Sequence, residues 1–74
     1  MDTKNIGKNI ARLRERAGLT QTQLAVRLGL AQAAVAQWEN GTTEPRLGKL
    51  DAIAEALGCQ IDELLVAERR SAEA

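Results

Sequence analysis

The chain has 74 residues, 10 Lys and Arg against 10 Asp and Glu, no His, one Cys, one Trp, and neither Phe nor Tyr. A chain this short makes one domain, and it buries only about 60% of the surface its unfolded form exposes, so the core must draw on nearly every Leu, Ile and Val. One Cys and no His exclude an ordinary four-ligand zinc site and any internal disulfide, and no catalytic constellation or Gly-rich phosphate loop is present, so neither a cofactor nor an enzyme is expected.

A single Pro and the lack of β-branched runs favour an all-α fold. Residues 1–4 are expected to be a flexible N-terminus, 5–66 the folded domain and 67–74 a short tail. Ile6, Ile10, Leu13 and Ala17 recur at offsets of four, three and four, which predicts an amphipathic helix from about Asn5 to Ala17 with Arg12 and Arg16 solvated. Gly18 ends it.

Thr20 suits an N-cap, with Gln23 at the capping-box position three residues on. A second helix is predicted over Gln21–Leu28, burying Leu24, Ala25 and Leu28. Its N-terminus, with unpaired N–H groups and the positive end of the helix dipole, suits a phosphate. Gly29 fits a left-handed turn. A third helix is predicted over Gln32–Asn40. Val35 and Trp38 face inward, and the outward positions are Gln32, Ala33, Ala36 and Gln37 rather than the Glu and Lys of a merely solvated surface. Gln can bond bidentately to adenine, and Ala can pack on thymine methyl groups, in a major groove.

Asn40-Gly41 closes the third helix. In the loop Thr42 to Arg46, backbone N–H groups, the hydroxyls of Thr42 and Thr43, and Arg46 are positioned to touch a phosphate backbone, with Glu44 turned away. A fourth helix is predicted over Leu47–Leu57, with Leu47, Leu50, Ile53, Ala54 and Leu57 as its apolar stripe. Cys59 reads as a small buried hydrophobe. A fifth helix begins near Ile61, with Asp62 and Glu63 in its first turn. One of Leu64 and Leu65, together with Val66, exceeds what the core of one copy requires, so Leu64, Leu65 and Val66 are the candidates for a dimer interface.

These pieces carry a resemblance. Thr20-Gln21-Thr22-Gln23-Leu24-Ala25, Leu28-Gly29-Leu30, Gln32, Val35, Trp38-Glu39-Asn40-Gly41, Glu44-Pro45, Leu50, Ala56-Leu57-Gly58 and Ile61-Asp62-Glu63-Leu64-Leu65 resemble the Cro and repressor family, the xenobiotic-response-element type of helix-turn-helix. The similarity covers residues 5 to 66. It implies a five-helix, lambda-repressor-like DNA-binding domain, with the helix-turn-helix at helices 2 and 3. It also implies an ion pair between Arg14 and Glu39, a phosphate contact at Gln21, and DNA contacts from Gln23, from the third helix through Asn40, and from the loop after it. Relatives often carry Ser or Thr where this chain has Ala31, Ala34 and Ala36. The Ala31 departure removes a cap worth about 1 kcal/mol and a hydroxyl for a phosphate, and with Ala34 and Ala36 also apolar the base reading is left to Gln32 first and Gln37 second.

Residues 1–30 hold six of the ten cations and two of the ten anions, and the remainder is correspondingly acidic. A basic and an acidic half could orient the protein on a polyanion. The expected function is a sequence-specific transcriptional regulator, foremost a cytoplasmic repressor. As a homodimer it would bind a palindromic operator on double-stranded DNA, without a membrane or a small-molecule effector. The alternatives are an antitoxin or restriction-modification controller on the same fold, or a helical protein-interaction module without DNA.

Overall fold

The computed structural model describes residues 4–66, in the order α1 (Lys4–Arg16), α2 (Gln21–Leu28), α3 (Gln32–Asn40), α4 (Leu47–Leu57) and α5 (Ile61–Leu65), with no strand among the described residues. The bounds of α2, α3 and α4 coincide with the expected ones. The first helix begins at Lys4, inside the segment expected to be flexible, and stops one residue early. Ala17 is therefore exposed and contributes nothing to the stripe. Residues 1–3 and the tail 67–74 lie outside the described residues.

Each helix supplies part of one core. Ile6, Ile10 and Leu13 come from α1, Leu24 and Ala25 from α2, Val35 and Trp38 from α3, Leu50, Ile53, Ala54 and Leu57 from α4, and Leu64 from α5. Leu28, Leu30, Cys59 and Ile61 pack half-buried against them. Trp38 is thus a core residue, unavailable for stacking on a base. Leu47, expected on the α4 stripe, is 67% exposed. It is the first residue of its helix, and helical side chains lean toward the N-terminus, so it overhangs the preceding loop instead of a neighbouring helix.

α1 packs on α3 and α5, and α2 on α3 and α4. The α1–α3 crossing is close because residue 7 is glycine. A Cβ there would collide with the carbonyl oxygen of Trp38. A glycine inside an otherwise helical pattern usually weakens a helix by about 1 kcal/mol; here it permits backbone contact that no other residue allows. The α2–α3 turn depends on Gly29 at φ 71°, a left-handed conformation that a side chain would strain, and its N–H caps the last carbonyls of α2.

Candidate nucleic-acid interface

The start of α2 is built as its sequence requires. Thr20 Oγ1 accepts from the Gln23 N–H at 3.0 Å, and Gln23 Oε1 accepts from the Thr20 N–H at 2.8 Å. Gln23, expected among the DNA contacts, therefore has its carbonyl oxygen turned back onto the helix start. This cap competes for it because orphaned N–H groups at a helix start need acceptors. Gln21, at the first position of α2, points the other way, toward α3.

There it joins a chain of hydrogen bonds. Arg14 donates from Nε to Glu39 Oε2 at 2.6 Å, from Nη2 to Glu39 Oε1 at 3.0 Å, and from Nη1 to the Leu19 carbonyl at 2.8 Å. Both side chains are mostly buried, at 12% and 8% exposure. The Arg14 pKa is raised above its ordinary value by the hydrogen bond to Glu39, against the opposing effect of burial. The expected ion pair is present, with two-point geometry.

Gln21 Nε2 donates to Glu39 Oε1 at 2.9 Å, and Gln32 Nε2 donates to Gln21 Oε1 at 2.7 Å. An ionised carboxylate only accepts, so Glu39 draws the nitrogen end of Gln21 and leaves its oxygen for Gln32. Gln32 in turn must use one N–H inward. Its Oε1 and its other N–H remain at the surface, the donor–acceptor pair that adenine's major-groove edge complements. The sequence places a Gln at the start of each helix, but the link between them depends on how the helices cross.

Gln32, Ala33 and Gln37 are exposed on one stretch of α3, with Ala36 half-buried beside them. The N-cap of α3, Ala31, makes no side-chain cap bond, as its sequence leads one to expect. Asn40 and the loop turn out differently. Asn40 Oδ1 accepts from the Thr42 N–H at 2.9 Å and also from the Thr42 hydroxyl. The Thr42 and Thr43 N–H groups both donate to the Gln37 carbonyl, at 2.9 and 3.2 Å. The expected reach of these N–H groups to phosphate is thus not realised, because the last turn of α3 needs donors for its own carbonyls. The Thr43 side chain and Arg46, both exposed, stay on the loop surface.

Every arginine of the basic half makes a contact within the fold, two of them with carboxylates. Arg12 donates to Asn9, Arg14 pairs with Glu39, Arg16 pairs with Glu63 at 3.2 Å, and Arg27 donates to the Ala56 carbonyl. Arg12, Arg16 and Arg27 stay exposed, and Arg12 and Arg27 meet neutral oxygen atoms that leave their charge intact.

Leu64 is fully buried in the protein's own core, so it cannot serve as an interface side chain; Leu65 and Val66 remain at the surface, 39% and 47% exposed. Two residues escape a reading of the sequence, Gly7 and Asn9. The signal for Asn9 is its register: three residues after Ile6 and four before Leu13, it sits on the apolar stripe. Among the described residues no group of His, Cys, Asp and Glu could hold a metal ion, and no helix is long and apolar enough to cross a membrane.

Comparison with known proteins agrees with this geometry. A family model described as helix-turn-helix matches residues 10–64. The HTH-type transcriptional regulator y4dJ of Sinorhizobium fredii, itself uncharacterized, is 39% identical over 62 residues, covering 84% of this chain and 80% of that protein. The repressor protein C2 of Salmonella phage P22 is 35% identical over 65 residues, or 88% of this chain, which spans only 30% of that repressor's length. The P22 c2 repressor solved in complex with a synthetic operator superposes with a TM-score of 0.72 at 34% identity, over 80% of this chain and 89% of that one. The restriction-modification controller protein C.AhdI of Aeromonas hydrophila superposes with a TM-score of 0.78 at 32% identity, over 85% and 96% of the two chains. With five helices among the described residues, a helix-turn-helix at α2 and α3, and these matches over most of its length, the chain belongs to the Cro/repressor-type helix-turn-helix family.

Proposed function

We propose that this protein is a sequence-specific DNA-binding transcriptional regulator, acting as a repressor. Two copies bind a palindromic operator with one α3 in each of two successive major grooves. Half-site centres then lie about 34 Å apart, one helical turn. The observation that carries this reading is the Gln32 side chain. It is held at the exposed start of α3 by Gln21, which is itself held by Glu39, and only one of its amide N–H groups is spent in doing so.

Gln32 reads adenine, Gln37 adds a second polar contact, and Ala33 and Ala36 meet thymine methyl groups. Gln21, Thr43 and Arg46 approach the phosphates. Two glutamines supply few base contacts, at about 1–3 kcal/mol of discrimination for each good pair, so a single copy is a poor reader and pairing is required. The exposed Leu65 and Val66 supply the surface for the second copy. The protein works in the cytoplasm, where its DNA is.

The test is selection of bound sequences from a random DNA library at moderate salt, with wild type and Gln32→Ala side by side. A palindrome that the variant reads less sharply is the expected result. No enrichment by the folded wild type would move the function to protein partners.

A second reading, a restriction-modification controller, is favoured by one observation. This chain superposes on nearly the full length of C.AhdI. It shares the DNA chemistry and differs in the operon regulated, so the recovered operator sequence separates the two.

A further inference from the structure

The end of α3 holds the chain's one Asn-Gly step, Asn40-Gly41; the other two asparagines, Asn5 and Asn9, each precede isoleucine. Asparagine is a chemically labile residue. The backbone nitrogen of the next residue, once it has lost its proton, can attack the side-chain amide carbon and close a five-membered ring. This reaction is intramolecular and is governed by approach. A β-branched neighbour obstructs the approach, and glycine leaves it open. Asn9 is guarded in a second way. It is 1% exposed, and its Nδ2, the nitrogen that would have to leave, donates to the Leu64 and Val66 carbonyls at 2.8 Å each.

Asn40 is held the other way round. It is exposed, and its Oδ1 accepts from the Thr42 N–H at 2.9 Å and from the Thr42 hydroxyl at 2.5 Å. Attack on the amide carbon moves negative charge onto this oxygen, and donors already aimed at it stabilise that charge. Both donors belong to the residue beyond Gly41, so they hold the carboxamide folded back along the chain past the Gly41 nitrogen. The remaining brake is the Gly41 proton, which caps the Gln37 and Trp38 carbonyls. Its bond to Trp38 is 3.3 Å, against 3.0, 3.1 and 3.2 Å for the matching bonds at Gly18, Gly29 and Gly58. The Gln37 carbonyl is shared with the Thr42 and Thr43 N–H groups. Of the four glycine stops, this one therefore holds its proton least firmly.

We propose that Asn40 is a site of spontaneous deamidation in the folded protein, with Thr42 as the activating donor. Hydroxide takes the Gly41 N–H proton, and the electron pair left on that nitrogen forms a bond to Asn40 Cγ. The bond from Cγ to Nδ2 breaks, and ammonia leaves with a proton from water. One further water then opens the ring. Opening at Cγ gives aspartate, and opening at the main-chain carbonyl gives isoaspartate, which lengthens the main chain by one methylene. Either product puts a carboxylate where a neutral amide stood, at the C-terminal end of α3, beside the loop that carries Thr43 and Arg46. The effect on DNA, and that alone, rests on the reading given above: the new charge meets phosphates of like sign and weakens binding.

The experiment keeps the full chain folded at warm temperature, at neutral and at mildly alkaline pH, and follows it by tryptic peptide mass mapping. Asn40 falls in residues 28–46, apart from Asn5 and Asn9. Parallel samples are wild type unfolded in urea, wild type saturated with the selected operator, and Thr42→Val shown by circular dichroism to be folded. Folded wild type is expected to convert at Asn40 and at neither other asparagine, faster at the higher pH and more slowly on operator. Thr42→Val should slow the conversion about threefold to tenfold, the net worth of one hydrogen bond. If Thr42→Val does not fold, Thr42→Ala takes its place. An Asn40 that stays intact in the folded chain while the unfolded chain converts would overturn the proposal. So would a Thr42 variant that converts as fast as wild type or faster, since the hydroxyl would then be a restraint and not an activator. Asn40→Asp should bind the operator about fivefold or more weakly, with the loss shrinking as salt is raised. Equal binding would overturn the effect on DNA. A wild type that binds no DNA would remove the regulator reading, a result that the mass measurement keeps separate from the fate of Asn40.

Discussion

Gln32 donates to the carbonyl oxygen of Gln21 at 2.7 Å, and it does so because Glu39 has already claimed the nitrogen of Gln21. The buried ion pair of Arg14 and Glu39 therefore has a consequence at the surface: it chooses which end of Gln32 faces outward. On this account Gln21→Ala leaves the fold intact and lets the Gln32 carboxamide rotate. Discrimination for adenine at the Gln32 position should drop by about 1 kcal/mol, roughly fivefold, while preferences elsewhere in the site stay as they were. Competition binding between the selected operator and single-base variants reads this directly. Unchanged discrimination would show that Gln32 needs no support from Gln21.

Arg14→Ala leaves the Glu39 carboxylate mostly buried beside Gln21 and without its cation. The cost should be about 3 kcal/mol, the low end for breaking a buried pair, since the guanidinium still touches solvent. In a domain this small that lowers the melting temperature by well over 10 °C, measurable by circular dichroism. A melting temperature within 2 °C of wild type, taking about 2 °C as the resolvable difference, would mean the pair is energetically idle.

Two glycines within helices should respond oppositely to the same change. Gly7→Ala drives a methyl group into the Trp38 carbonyl and should destabilise by about 2 kcal/mol as α1 and α3 are forced apart. A Cβ at Gly48 meets nothing within 4 Å, so Gly48→Ala should stabilise by about 0.5–1 kcal/mol through helix propensity. Urea titrations of both variants give the two signs.

The uncapped start of α3 can be repaired. Ala31 already has the extended backbone of an N-cap, φ −77° and ψ 151°. Ala31→Ser should add about 1 kcal/mol and raise the melting temperature by about 5 °C. No gain would indicate that the Ser hydroxyl finds another partner.

Acid should loosen the end of the molecule that carries α5. Glu63 accepts from the Gln60 N–H at 3.0 Å and from Arg16 at 3.2 Å, and these two contacts lower its pKa below the ordinary value. A carboxyl whose folded pKa lies below its unfolded one contributes stability above the unfolded value, and loses it as the pH falls through the folded value. The stability difference between wild type and Glu63→Gln should therefore be constant near neutrality and shrink from about pH 4.5 downward. Thermal melts across that range test it, and a difference independent of pH would contradict the assignment.

Much of this protein follows from local rules that a sequence carries openly. The apolar periodicity of α1 and α4, the Thr20–Gln23 cap and the glycine stops are short-range interactions within a few residues, so helix bounds and most of the core could be read in advance. So could the outward glutamines of α3. The positions that only the tertiary structure decided are those where distant segments share backbone or polar groups. Gly7 matters because Trp38 arrives from α3, Asn9 because the carbonyls of Leu64 and Val66 arrive from the far end of the chain, and Gln21 because Glu39 fixes its amide. Leu64 and Leu65 differ by one step in sequence, yet one fills the core and the other faces solvent, since a helix turns about 100° per residue. Arg14, one of the arginines read as a basic half, becomes an internal tie to Glu39 for the same reason. A charge in a sequence has a position but no neighbours, and folding supplies the neighbours.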